Sequence, residues 1–104
     1  MSPVIVTAVF RPAEGARDAL ITALQGALPA VHDEEGCELY ALHSADDGTL
    51  VLLEKWTSRA ALAAHAAGEP VAHLNAAIAA HLAAPTVVTT MDALPAGDAR
   101  RGAL

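Results

Sequence analysis

An acid, an indole and an imidazole lie close together in the middle of the chain. Glu54 and Trp56 are two residues apart in an apolar run, so in a strand they would share one face. His65 comes three residues after Leu62 and would share the inward side of a helix with it. A neutral imidazole titrates near pH 6.5 when unperturbed, so beside an aromatic wall and a carboxylate it could take or give a proton. His65, Trp56 and Glu54 are therefore the predicted catalytic residues.

Each of these three residues also has a purely structural interpretation. His65 could be a packed histidine, hydrogen-bonded to Glu54 or to a backbone carbonyl. Trp56 could stack on a planar substrate or anchor the core of a chain that has only one Trp, one Tyr and one Phe. Glu54 could orient His65, hold a substrate hydroxyl or pair with an arginine at the end of the sheet. The sequence leaves these alternatives open.

Four further residues are predicted to bind the substrate. Tyr40 could donate a hydrogen bond from its hydroxyl, or it could simply pack in its strand. Leu52 and Leu62 would supply apolar surface. His73, like Asn75 on the same helix, could reach the rim of the pocket, although solvated positions also suit them.

The remaining histidines and the cysteine do not indicate a metal site. His81 follows His73 by eight residues, as His73 follows His65, but Gly68-Glu69-Pro70 interrupts the first interval. Zinc usually needs three or four converging ligands, and no HxxxH, HxH or CxxC occurs in the chain. Cys37 is predicted to pack as a small hydrophobe. We expect no metal.

The first half of the chain predicts a strand, a helix and a second strand. The β-branched run from Val4 to Phe10 is typical of a strand. The pattern from Ala13 is helical and should end at Asp33-Glu34-Glu35-Gly36. A second strand is predicted from Cys37 to Ala45, followed by a hairpin turn at Asp46-Asp47-Gly48. The buried face of the predicted helix carries Leu20, Leu24, Ala27 and Val31.

The second half predicts a strand, two helices and a last strand. The third strand should run from Leu50 to Trp56, and Thr57-Ser58 offers an N-cap for a helix to Ala67. Gly68-Glu69-Pro70 should begin another helix that ends at Pro85. The fourth strand is predicted from Thr86 to Leu94. The stripe of the last helix would consist of Val71, Leu74, Ile78 and Leu82.

The predicted order β-α-β-β-α-α-β is the ferredoxin-like arrangement of α+β proteins, with a four-stranded antiparallel sheet. Residues 1–94 would form one domain, and residues 95–104 a tail that is flexible or contacts another subunit. The third strand is apolar on both faces, with Val51 and Leu53 opposite Leu50 and Leu52. Helices cover one face, and a second copy of the sheet would cover the other, which predicts a homodimer.

Composition excludes several classes of function. A net charge of −6 and six scattered basic residues argue against nucleic-acid binding. No apolar run approaches the roughly 18–20 residues that a membrane span needs. The single cysteine rules out an intrachain disulfide and suits a reducing compartment, and the start of the chain lacks the positive region of a secretion signal. We expect a cytoplasmic protein with no membrane contact.

The run Glu54-Lys55-Trp56 with Leu62 and His65, preceded by Glu35-Gly36-Cys37 and Tyr40, resembles the antibiotic biosynthesis monooxygenase family of dimeric α+β barrels. The resemblance covers roughly residues 3 to 94. It implies a homodimer that oxidises a quinol-like or polycyclic phenolic molecule with dioxygen, without metal, flavin or haem cofactor. Antibiotic-pathway members commonly have an Asn near the Trp, where this chain has Leu52.

Two other functions are compatible with the resemblance. Haem-degrading relatives use a Trp, a helix His and a first-strand Asn, but the corresponding first-strand position here is Ala8. The second alternative is a non-catalytic dimer that binds a small hydrophobic molecule, which the small number of polar pocket candidates favours.

Overall fold

The computed structural model describes residues 2–104 and has the predicted order of elements. Its strands are β1 (Val4–Phe10), β2 (Cys37–Ser44), β3 (Leu50–Trp56) and β4 (Val87–Asp92). Its helices are α1 (Arg17–His32), α2 (Arg59–Ala66) and α3 (Glu69–Ile78), and a short 3-10 turn follows at Ala79–His81. The order β-α-β-β-α-α-β confirms the ferredoxin-like α+β class.

The four strands form one antiparallel sheet in the order β2-β3-β1-β4. Alternation along β3 buries Leu50, Leu52, Glu54 and Trp56 and leaves the residues between them half-buried. β1 shows the same alternation, with every second residue buried from Val4 onward. The face that carries the buried residues is called the inner face, and it packs against the helices.

Helix α1 covers the inner face because its apolar residues recur with helical spacing. Leu20, Leu24 and Val31 are fully buried in the core, as predicted, and Ala27 packs at its edge. Each fully buried leucine or valine of this kind contributes roughly 1.5–3 kcal/mol relative to an exposed position. This burial fixes the end of α1 and the loop that follows it against the sheet.

The hairpin between β2 and β3 forms at the predicted turn. Gly48 has a φ of +90°, which glycine adopts without strain, and its N–H donates to the carbonyl of Ala45 over 3.1 Å. The carboxylate of Asp47 accepts hydrogen bonds from the backbone N–H and the hydroxyl of Thr49. The turn sets the register that places Tyr40 opposite Glu54.

Two predicted helix boundaries are wrong because turns and backbone pairing outside the helices divert the chain. α1 begins at Arg17 rather than Ala13, after a turn in which Gly15 has a φ of +75°. α3 ends at Ile78, well before Pro85. Leu82 lies outside that helix and forms an isolated bridge with Pro12, and Ala83 donates to the carbonyl of Arg11. These hydrogen bonds tie the segment after α3 to the end of β1.

The strand boundaries differ less from the predictions. β4 covers Val87–Asp92 rather than residues 86–94, and β2 ends one residue earlier than expected, at Ser44. The last residues, 95–104, contain a turn in which Asp98 accepts from the backbone N–H groups of Arg100 and Arg101. The predicted flexibility or subunit contact of this tail remains a prediction.

The opposite face of the sheet, here called the outer face, carries the side chains that alternate with the core residues. At its centre Leu53 of β3 pairs with Thr7 of β1 and with Ala41 of β2. Val87 of β4 is 61% exposed. Lys55 donates from Nζ to the carbonyl of Leu104 over 2.8 Å, so the end of the chain reaches this face.

None of the helices within residues 2–104 combines the length and the apolar character that crossing a membrane requires.

Candidate functional site

A row of four inner-face residues crosses the sheet beneath α2 and α3. Tyr40 pairs with Glu54, Glu54 with Val6, and Val6 with Thr90, so the row contains one residue from each strand. Neighbouring strands lie about 4.8 Å apart. The row therefore places a phenol, a carboxylate and a hydroxyl along one floor, with Val6 between the carboxylate and the hydroxyl.

A pocket of about 400 Å³ lies above this floor. Its walls are mostly apolar, and polar side chains enter from both the sheet and the helices. The sheet contributes Val6, Ala8, Phe10, Tyr40, Glu54, Val88 and Thr90, and the helices contribute Leu62, His65, Val71, Leu74 and Asn75. A pocket of this size and composition is typical of a small-molecule site.

His65 enters the pocket because the start of α2 is fixed by a cap. The side chain of Ser58 accepts a hydrogen bond from the backbone N–H of Ala61 over 3.1 Å, as predicted for an N-cap. His65 follows Leu62 by one helical turn, and both side chains line the pocket. The histidine is only 5% exposed.

The partner of His65 is Glu34, which sequence reasoning missed. Nδ1 of His65 lies 2.9 Å from Oε2 of Glu34, and both side chains are largely buried. The predicted alternatives for His65 were Glu54 or a backbone carbonyl, and neither is its partner in the structure. Glu34 belongs to the polar cluster that was interpreted only as the end of the first helix. No local signal distinguishes it from its neighbours, because thirty-one residues separate it from His65.

The loop that holds Glu34 is locked onto the start of α2 at Gly36. The carbonyl of Gly36 accepts from the backbone N–H of Thr57 over 2.9 Å, and the glycine has a φ of +86°. A Cβ at this position would lie 2.6 Å from the Cβ of Ala61 and 2.8 Å from Oγ1 of Thr57. Only glycine allows this close approach, which brings the loop within reach of His65.

Trp56 lies behind His65 and not at the surface of the pocket. It is fully buried, and its ring centroid is 4.4 Å from that of His65 with the planes inclined by 32°. Its Nε1–H donates to Oε1 of Glu54 over 3.0 Å. Of its two interpretations the structure agrees with the core anchor, because the indole packs behind the histidine and the carboxylate; the catalytic role of Trp56 stays a prediction. Glu54 likewise pairs with the indole rather than with an arginine.

Burial governs the electrostatics of Glu54. Desolvation raises the pKa of Glu54, the nearby Glu34 raises it further, and the indole N–H and His65 offset only part of this effect. Glu54 lines the pocket although it is only 5% exposed. The site thus contains a carboxyl group that holds its proton more tightly than an exposed glutamate does.

Tyr40 completes an aromatic cluster around the histidine. Its ring centroid is 5.5 Å from that of His65 and 6.3 Å from that of Trp56, and both contacts are edge-on. Burial and the nearby carboxylates of Glu54 and Glu34 raise the pKa of Tyr40 well above its usual value. Its hydroxyl therefore remains protonated and can donate a hydrogen bond.

Two other residues predicted to bind the substrate lie outside the pocket. Leu52 points to the inner face but is sealed in the core, with only 1% of the residue exposed. His73 is exposed, since only the side of α3 that carries Leu74 and Ile78 meets the core. Asn75 of the same helix lines the pocket instead.

Sequence reasoning also missed the polar residues at the far side of the pocket. Thr90 lines it from β4, and alternation along the predicted fourth strand could have placed Thr90 and Val88 on one face. No cluster of three or more histidine, cysteine or acidic side chains suited to a metal ion occurs among residues 2–104.

Comparison with known proteins gives a consistent result. The family model described as "Antibiotic biosynthesis monooxygenase" matches residues 3–93. A Mycobacterium tuberculosis protein named "Putative monooxygenase Rv0793" is 38% identical over 91 residues, which cover 86% of this chain and 90% of that protein. The solved structure of Rv0793 aligns with a TM-score of 0.82 at 35% identity, over 94% of this chain and 99% of that one. Another solved structure, named as an antibiotic biosynthesis monooxygenase, aligns with a TM-score of 0.80 at 30% identity, over 88% of this chain and 99% of that one.

Proposed function

Because this chain belongs to the antibiotic biosynthesis monooxygenase family, we propose that it is a monooxygenase that oxidises a quinol-like or polycyclic phenolic molecule with dioxygen. The observation that carries the proposal is the buried imidazole of His65 at the wall of an apolar pocket of about 400 Å³. One ring nitrogen is held by a carboxylate, and the other is left for a ligand.

The proposed role of His65 is that of a general base. Removing a proton from a phenolic hydroxyl raises the electron density of the aromatic ring, which can then reduce dioxygen. Since the walls of the pocket are mostly apolar, a hydrogen bond to the developing phenolate is stronger there than in bulk water. The substrate supplies the electrons in this proposal, and the protein supplies proton transfer and orientation.

The net reaction balances without a further reductant. A quinol and dioxygen give a hydroxyquinone and water: one oxygen atom enters the ring, and the other leaves as water with the two hydrogens that the quinol loses. Tyr40, as a protonated phenol, would donate a hydrogen bond to the reduced oxygen. Glu54 would bind a substrate hydroxyl from the floor of the pocket.

A homodimer is part of the proposal. The outer face carries Val51 and Leu53 at its centre, and Val87 at its edge is 61% exposed. Burial of such a face against a second copy removes apolar surface from water, which favours association.

The proposed location is the cytoplasm, where a single free cysteine stays reduced.

A second candidate is a non-catalytic protein that binds a small hydrophobic molecule. It is favoured by the number of apolar side chains in the pocket wall, among them Phe10, Leu62 and Leu74. Haem degradation has less support, because β1 contributes only Val6, Ala8 and Phe10 to the pocket and offers no side-chain hydrogen bond there.

Oxygen uptake tests the proposed function. The purified protein is given hydroquinones and anthrones in an oxygen electrode, with no cofactor added, and the products are analysed with ¹⁸O-labelled dioxygen. We expect enzyme-dependent uptake, with one labelled oxygen atom in the product. Saturable quenching of Trp56 fluorescence by the same compounds, with no uptake from any of them, would reject the monooxygenase and support the binding protein.

A further inference from the structure

The geometry points to Glu34 as a positioning residue that keeps His65 in its Nδ1–H tautomer, so that Nε2 faces the pocket as a proton acceptor. The catalytic consequence rests on the proposed function, but the tautomer itself does not. Glu34 is not among the residues that line the pocket, so it acts only through the histidine.

The hydrogen bond determines which nitrogen carries the proton. Oε2 of Glu34 lies 2.9 Å from Nδ1 of His65, and the two side chains are 16% and 6% exposed. An ionised carboxylate can only accept a hydrogen bond, so the neutral imidazole must carry its proton on Nδ1. Nε2 then has a free lone pair. Within residues 2–104 no protein group bonds to Nε2. Every fully buried side-chain nitrogen of these residues has a hydrogen-bond partner, so the unpartnered Nε2 is not fully buried. Since His65 lines the pocket, Nε2 opens to it.

Packing prevents the ring from turning to exchange its two nitrogens. The indole of Trp56 lies 4.4 Å from the imidazole in a tilted stack, and the phenol of Tyr40 meets it edge-on at 5.5 Å. Close-packed aromatic neighbours of this kind leave little room for rotation about the Cβ–Cγ bond.

The second acid near His65 has its own partner. Glu54 on β3 accepts the indole N–H of Trp56 over 3.0 Å. The groups that face the imidazole are thus Glu34 from the loop after α1, Glu54 and Trp56 from β3, and Tyr40 from β2. Of these groups, Glu34 alone hydrogen-bonds to the ring. Glu34 is therefore the acid that positions the imidazole, whereas Glu54 is the acid that lines the pocket.

The backbone fixes Glu34 at the required distance. Its N–H donates to the carbonyl of Val31 over 3.0 Å, and its own carbonyl accepts from Cys37 over 3.2 Å. The bond between Thr57 and Gly36 then ties this loop to the residue next to the N-cap of α2. Since both ends of the contact are anchored, Glu34 is preorganised for His65 before any ligand binds.

The experiment combines histidine NMR with kinetics. ¹⁵N-labelled wild type, Glu34→Gln, Glu34→Asp and the control Glu35→Gln are compared in long-range ¹H–¹⁵N spectra at a pH above the titration range of histidine. Glu35 is the exposed neighbour of Glu34, so it matches the change in charge. A His65→Asn spectrum assigns the signals. We expect the Nδ1–H pattern in wild type and in Glu35→Gln, a shift towards Nε2–H in Glu34→Gln, and partial retention in Glu34→Asp.

Kinetics separate a positioning role from a structural one. We expect Glu34→Gln to lower kcat for quinol oxidation by about 10²-fold, with KM little changed, since the amide holds the loop but no longer dictates the tautomer. An Nε2–H signal in wild type, or the same tautomer in Glu34→Gln, would overturn the inference. If the tautomer switches as expected but wild type consumes no oxygen, the proposed function fails and the role of Glu34 stands.

Discussion

The indole N–H of Trp56 donates to the carboxyl group of Glu54 over 3.0 Å, between two side chains of the same strand face. Trp56 is fully buried and Glu54 nearly so. The carboxyl group of Glu54 is therefore held by a neutral donor and not by a cation. The hydrogen bond fixes the position of the carboxyl group but supplies no compensating positive charge. The indole of this pair packs against the imidazole of His65, with 4.4 Å between the ring centroids.

Trp56→Phe should lower the free energy of unfolding by more than the smaller volume of the phenyl ring alone would cause. The buried carboxylate loses its donor, which costs about 1–3 kcal/mol, and the smaller ring leaves a cavity. Denaturant unfolding measures this cost. In a Glu54→Gln background the same substitution should cost less, because an unpaired amide is cheaper to bury than an unpaired charge. Equal costs in both backgrounds would show that only packing matters.

The stability of the protein should depend on pH through Glu54. Its pKa is raised above 4.5 in the folded state, so the native protein binds more protons than the unfolded chain between the two pKa values. Stability attributable to Glu54 therefore falls as pH rises from about 4.5 through the folded pKa. Glu54→Gln removes this effect and should gain stability relative to wild type over that range. A constant difference at all pH values would contradict the prediction.

His65→Ala should lower the rate of oxygen uptake by about 10²–10⁴-fold, the usual contribution of a general base. The matched control is His81→Ala, in the 3-10 turn that follows α3, which should retain wild-type rates. Both variants are checked by thermal unfolding. Full activity of a folded His65→Ala protein would remove His65 from the mechanism.

Gly36→Ala should cost more stability than Gly15→Ala. Both glycines have positive φ, which costs a residue with a side chain about 1–2 kcal/mol. Only at Gly36 would the new methyl group also collide with Ala61 and Thr57; nothing lies within 4 Å at Gly15. Gly36→Ala should also weaken the contact between Glu34 and His65 and lower activity, whereas Gly15→Ala should not.

Adding Ala61→Gly to Gly36→Ala tests the cause of that cost. It removes the closest clashing atom, and a double-mutant cycle should show a favourable coupling despite the roughly 1 kcal/mol that a helical glycine costs. If the changes in the free energy of unfolding were strictly additive, the clash with Ala61 would not be the cause of the cost of Gly36→Ala.

Leu53→Lys should dissociate the proposed homodimer. Leu53 lies at the centre of the outer face, where a second sheet would bury the new charge. Sedimentation at graded concentrations should show a smaller species than wild type. Gln25→Lys, on the exposed side of α1, is the matched control and should leave the mass unchanged. A wild-type protein that sediments as a monomer at every concentration would reject the dimer.

The fold was predictable because its signals are local. Alternation along β1 and β3, the helical spacing of Leu20 and Leu24, and the turn at Gly48 each involve residues a few positions apart. The end of α3 was predicted wrongly because the competing interaction, the bridge between Pro12 and Leu82, joins distant parts of the chain.

The candidate site was only partly predictable for the same reason. His65 and Glu54 could be assigned to the pocket from their own elements, and both line it. Glu34 could not, because its partner lies across the domain and nothing beside it in the sequence marks it. For Trp56 the face could be predicted but the depth could not: periodicity gives direction and does not show that the ring of His65 lies over the indole.

The two edges of the sheet differ in how well they resist unwanted pairing. β2 carries an irregularity between Cys37 and Leu39, and such a break hinders the docking of another strand. β4 runs regularly from Val87 to Asp92, with Val87 and Val88 each 61% exposed and no lysine or proline within it. An exposed, regular and apolar edge of this kind is a template on which another strand can pair, so β4 is the part of the sheet where aggregation should begin.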